Sequence, residues 1–130
     1  MVPIVRYMLL CDDWRLDGPF NRRVTIVGLI WNIRSFADPP FPLFYSELCV
    51  FLALTEVRGP RRGRVVCIDG ETGATIFETP ERPIPMRPDP LEVVGVLFRI
   101  RNCTFPRPGR YSVQFWYDGV VVEERPLRTR

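Results

Sequence analysis

The densest cluster of chemically capable side chains in this sequence is a run of arginines. Arg58, Arg61, Arg62 and Arg64 crowd the stretch Val57-Arg58-Gly59-Pro60-Arg61-Arg62-Gly63-Arg64. Guanidinium groups pair bidentately with phosphate oxygens, so such a loop is a candidate anion or nucleic-acid site. Two observations favour a solvated hairpin loop instead. No aromatic side chains interleave with the arginines to stack bases. Arginine is also the only cation in use: all 18 basic residues are arginine, with no lysine and no histidine. GC-rich coding, rather than selection for arginine chemistry, is the expected source of that bias, together with the 14 prolines and 9 glycines. A formal charge of +3 is too small to demand a polyanionic partner.

The absence of histidine narrows the chemistry. Ser-His-Asp and Cys-His catalysis, a His-ligated zinc and a histidine pH switch are excluded within these 130 residues. Ser35, Ser46 and Ser112 are the only serines, and none lies in a GxSxG elbow. No catalytic residue is therefore assigned, and the chain is not expected to be an enzyme.

Asp12, Asp13 and Asp17 follow the first apolar run and are read as sharing a loop. Loop carboxylates on a β-sandwich can hold calcium, but this spacing matches no EF-hand, and aspartate is common at turns for its own reasons. Cys11, Cys49, Cys67 and Cys103 are too far apart for a CxxC motif. The first three sit in or at the end of apolar strand patterns, as small buried hydrophobes do, and with no export signal expected all four are expected as reduced thiols. No metal and no cofactor is expected. The PxxP spacings at Pro80–Pro83 and Pro85–Pro88 suit a stiff crossover, because a strand pattern resumes directly after them at Leu91.

These groups must be carried by strands. No segment shows a helical period, and β-branched and aromatic residues fill the apolar runs. Eight strands are predicted, at 4–11, 23–33, 47–55, 64–68, 74–78, 91–101, 110–117 and 120–127. Breaker clusters separate them: Asp17-Gly18-Pro19, 37–42, Arg58-Gly59-Pro60 and 69–73. Asp118-Gly119 predicts a type I′ hairpin turn with Tyr117 opposite Val120, Phe115 opposite Val122 and Val113 opposite Glu124. Upstream, Pro108-Gly109-Arg110-Tyr111-Ser112-Val113 has the spacing of a tyrosine corner, in which the hydroxyl turns back onto the preceding loop. Together these predict an all-β fold: one immunoglobulin-like antiparallel sandwich of about eight strands spanning 1–130 and closed by a C-terminal hairpin.

The first three strands are apolar on both faces, unlike the last two. Val24, Ile26 and Ile30 alternate with Val27, Leu29, Trp31 and Ile33, and Leu48, Val50, Leu52 and Leu54 alternate with Cys49, Phe51 and Ala53. A sandwich needs only one apolar face per sheet. The second must be covered by the proline segments 39–44 or 80–90, or by another chain. Trp31, Leu29, Val27, Phe51 and Cys49 are accordingly the candidate interaction face. The functional expectation is a non-enzymatic interaction or structural module, self-associating or binding a protein partner. The alternative is an anion- or nucleic-acid-binding domain using Arg58–Arg64. Nucleic acid is not the expected partner, and no apolar run approaches the roughly 20 residues of a membrane helix.

Over almost its whole length the chain resembles a family of small uncharacterised bacterial proteins from GC-rich genomes, a domain of unknown function. The resemblance rests on Pro3-Ile4-Val5-Arg6-Tyr7-Met8-Leu9-Leu10-Cys11-Asp12-Asp13, Leu48-Cys49-Val50-Phe51-Leu52, Pro85 to Pro90 and Val94-Gly95-Val96. It continues in Phe105-Pro106-Arg107-Pro108-Gly109-Arg110-Tyr111, Phe115 and Asp118-Gly119. It implies a β-sandwich in the bacterial cytoplasm and carries no activity, ligand or site. No export signal is expected at the start of the chain, where Arg6 interrupts the apolar run and Asp12-Asp13 follows it, and a cytoplasmic location is the expectation.

Overall fold

Alternating apolar side chains give strands whose inner faces pack together, and two sheets result. The computed structural model describes residues 2–21 and 23–130. Its ten strands are β1 (Ile4–Asp17), β2 (Arg23–Leu29), β3 (Asn32–Ile33), β4 (Leu43–Thr55), β5 (Arg62–Asp69), β6 (Thr75–Glu78), β7 (Arg82–Pro83), β8 (Val94–Phe105), β9 (Gly109–Tyr117) and β10 (Val120–Thr129). The first sheet has the order β2-β1-β4-β8. The second runs β3-β10-β9-β5-β6, with β7 also paired to β5. The fold is an all-β sandwich. Its one parallel pairing among the described residues is β3 against β10, where Arg128 lies beside Asn32 and Thr129 beside Ile33.

The core lies between the sheets. Leu48, Val50, Leu52 and Leu54 from β4 meet Val65, Cys67, Val113 and Phe115 from β5 and β9, all essentially excluded from solvent. At about 25 cal/mol per Å² of apolar area, this burial is the main stabilising term. Phe98 and Phe115 meet across the core with ring centroids 6.3 Å apart.

The Pro-Gly corner forms as the spacing predicts. The Tyr111 hydroxyl donates to the Arg107 carbonyl oxygen at 2.6 Å, and the Tyr111 ring packs edge-on against Phe105 at 5.0 Å. The Asp118-Gly119 turn also forms, with φ of 51° and 76° at its two central residues. Its register departs from expectation after one pair. Val120 faces Tyr117 and Val121 faces Trp116, but a bulge then puts Glu123 opposite Phe115 and Arg125 opposite Val113. The extra residue, Val122, shifts the downstream side chains to the other face, so that Leu127 and Thr129 become buried.

Two further expectations are corrected. The predicted strand 23–33 is two strands, because Ile30 and Trp31 carry the chain from one sheet to the other. The Ile30 N–H still bonds Leu10 in the first sheet, while the Trp31 carbonyl accepts from Arg128 in the second. Asp12, Asp13 and Asp17 are not in a loop but within β1, which runs six residues past its predicted end. The segment 80–90 crosses between the sheets as expected. On the way it pairs briefly with β5 and buries Ile84 in the core.

Candidate functional site

The doubly apolar strands raise the question of what covers the outer face of the first sheet. Register places Leu9, Phe51 and Leu97 side by side across β1, β4 and β8 on that face, each half-buried. At the β8 end the cover comes from the chain itself. Gly28 sits at φ 66° beside Asp12, and a Cβ there would come within 2.6 Å of Asp12 Oδ2. A left-handed glycine breaks the regular strand alternation. Beyond it, the tip of the β1–β2 hairpin leans back over the sheet. Trp14, Leu16 and Val24 from the tip then face Phe51, Gly95 and Leu97 across a cleft of about 580 Å³.

Polar pairs pin the hairpin there. Arg99 on β8 binds Glu47 at 2.7 Å and Asp13 at 3.4 Å, and its guanidinium lies 5.9 Å from the Trp14 ring centroid. Tyr45 donates its hydroxyl to Asp12, and Thr25 donates to Asp17. The three aspartates therefore have separate partners. Among the described residues no group of three or more His, Cys, Asp or Glu side chains gathers as a metal site.

Of the five residues of the candidate interaction face, Trp31, Leu29 and Val27 are exposed, at 65%, 54% and 38%. Leu29 and Trp31 line a second, smaller cleft of about 240 Å³ with Leu9, at the seam where β1 approaches β10. Phe51 lines the larger cleft instead. Leu9, its register partner, joins the two into one apolar strip. Cys49 does not belong to this surface. It is fully buried beneath the hairpin, where its thiol donates to the Asp12 carbonyl oxygen at 3.6 Å.

All four cysteines are free and buried. Burial pushes Cys11 and Cys103 up to about 11 and Cys67 to about 12, so these thiols stay protonated at neutral pH.

The structure disperses the four loop arginines. Arg58 donates from Nε to Glu56 at 3.1 Å, Arg61 approaches Asp118 at 3.6 Å, and Arg62 donates to the Glu81 carbonyl oxygen at 3.0 Å. Arg64 already belongs to β5, where it pairs with Glu78 at 3.3 Å and lies over the Trp116 ring at 4.9 Å. Sequence proximity does not become a convergent cationic site here.

Sequence reasoning missed Arg82. It lines the larger cleft, and its guanidinium carbon lies over the buried Phe98 ring, 4.6 Å from the centroid. No carboxylate lies within 4 Å of it among the described residues. Partial burial pulls its pKa down, as expected for a cation that loses water without gaining a counter-ion. No local motif marks this residue, because only the crossover places it there.

These features define a two-sheet β-sandwich domain with an apolar cleft on the outside of one sheet. The chain belongs to DUF6941, a family of unknown function whose profile matches residues 6–130. No curated protein matches it. Among solved structures it is similar to the Pseudomonas fluorescens alkylpurine DNA glycosylase AlkC bound to DNA containing an abasic site analog. That likeness has a TM-score of 0.50 at 11% identity and covers 77% of this chain and 28% of that one. At this identity it speaks for the fold alone.

Proposed function

We propose that the chain is a non-catalytic interaction module that associates with a second copy of itself through the outer face of its first sheet. The observation that supports this most directly is the apolar strip running from Trp31 and Leu29 through Leu9 to Phe51. The hairpin tip covers only the β8 end of it. Tyr7, 62% exposed, lies next to this strip on β1. Large apolar patches on soluble domains are commonly interfaces.

Light scattering coupled to size exclusion tests the reading. A mass near twice 15.2 kDa at micromolar concentration is expected. A strict monomer up to the millimolar range would sink it. Nucleic-acid binding through Arg58–Arg64 is the weaker reading. A neighbour in fold is a DNA-bound glycosylase, but the four side chains here are each engaged with a partner of the same chain. Salt-dependent retention of a mixed oligonucleotide pool, lost on replacing Arg61 and Arg62, would revive it.

A further inference from the structure

We propose that the cleft under the β1–β2 hairpin binds a small aryl carboxylate, with its ring between the hairpin tip and the sheet and its carboxylate on Arg82. This goes beyond self-association and does not depend on it: Phe51 is shared by cleft and strip, but Trp14, Leu16 and Arg82 belong to the cleft alone.

Size comes first. The cleft holds about 580 Å³, within the range of roughly 300–1,000 Å³ typical of small-ligand sites. Its walls are apolar and partly aromatic: Trp14 and Leu16 on the hairpin side, Phe51 and Leu97 on the sheet side. Gly95 leaves the floor open, because it presents no side chain beside Phe51.

Charge selects the ligand's other end. Of the two arginines lining the cleft, Arg99 is already held by Glu47 and Asp13. Arg82 is held by no carboxylate among the described residues, and Phe98 supports one face of its guanidinium. The Phe98 ring lies against the guanidinium, and among the described residues no side chain or carbonyl accepts from its N–H groups, so they are available to take a carboxylate. A cation on an apolar rim thus complements a molecule with an apolar body and one anionic end.

The test uses the full chain and 4-phenylbutyrate as probe, followed by Trp14 fluorescence in a Trp31→Phe, Trp116→Phe background. Saturable binding is expected with a Kd on the order of 0.1–1 mM, consistent with a ligand of about a dozen heavy atoms. The neutral analogue 4-phenylbutanol and acetate, which lacks the ring, should each bind at least tenfold more weakly. Arg82→Gln should weaken the acid about tenfold or more and leave the alcohol unchanged. Arg87→Gln, next to Glu92 and outside the cleft, should change neither. Gly95→Ala, whose added Cβ would make only ordinary contact with Phe51 at 3.5 Å, should keep the fold and weaken the probe by raising the floor.

Equal affinity for acid and alcohol, no effect of Arg82→Gln in a folded protein, or no saturation at 10 mM probe would each overturn the proposal. The mass of the unliganded protein is measured separately, so failure here and failure of self-association are distinguishable.

Discussion

Tyr111 donates its hydroxyl to the carbonyl oxygen of Arg107 at 2.6 Å, and Arg107 in turn locks the other side of the same corner. Its guanidinium reaches Asp69 at 2.7 Å and Glu71 at 2.9 Å, while its carbonyl also accepts from Thr129 at 3.2 Å. One arginine therefore ties the β8–β9 corner to the β5–β6 turn and to the end of β10. Tyr111→Phe removes a single hydroxyl bond and leaves the ring in place. It should cost about 1 kcal/mol in urea unfolding with the m-value unchanged. No measurable loss would mean that the corner bond adds nothing to folding.

Asp69 predicts how stability responds to acid. The Glu71 N–H bonds its carboxylate, with the Thr72 N–H and Arg107 adding to this against the effect of burial, and holds its pKa below the ordinary 3.8. A carboxyl with a depressed native pKa contributes stability that is complete above its unfolded pKa and is lost as pH falls through the native one. The contribution of Asp69 should be constant from pH 7 down to about 5 and fade below about 4. Asp69→Asn should lower the melting temperature at pH 7 and flatten the curve below pH 4. An acid slope identical to wild type would remove Asp69 from this role.

Gly28 tests what turns the hairpin over the sheet. Alanine there must adopt φ near 66° and press its Cβ on Asp12, which Tyr45 already engages. A left-handed non-glycine residue alone costs about 1–2 kcal/mol. Gly28→Ala should therefore destabilise the domain and loosen the hairpin, raising the exposure of Trp14 and the reactivity of Cys49 beneath it. Loss of stability with Cys49 as protected as before would show that the arginine and tyrosine contacts hold the tip without help from the glycine.

The association surface is testable at exposed positions, where a charge leaves the core intact. Leu29→Glu and Trp31→Glu should each shift the mass toward 15.2 kDa and keep the melting curve of an independently folded domain. Surface substitutions away from packed features usually change stability by no more than about 0.5 kcal/mol. A dimer that survives both variants would place the interface elsewhere.

Much of the second sheet is legible locally. Asp118-Gly119 calls for two positive φ angles in succession, and Pro108-Gly109-Arg110-Tyr111 brings a hydroxyl back to a carbonyl four residues away. Both depend on residues adjacent in sequence, so the chain's own chemistry settles them. The bulge at Val122 was not legible, because valines at 120, 121 and 122 fit either register. The choice lies in burying Leu127 and Thr129 further along.

The candidate site divides the same way. By itself, the sequence determined that β1, β2 and β4 carry more apolar surface than one core can take, since alternation exposes both faces of a strand to inspection. Only the tertiary structure decided what meets the surplus. The hairpin tip, with Gly28 at φ 66° in its second strand, lies over Phe51, Cys49 is buried and Trp31 stays outside. Arg82 and Phe51, 31 residues apart, share a cleft because a crossover and a sheet register happen to converge there. Such proximity is a sum of long-range packing choices, and no local pattern of side chains encodes it.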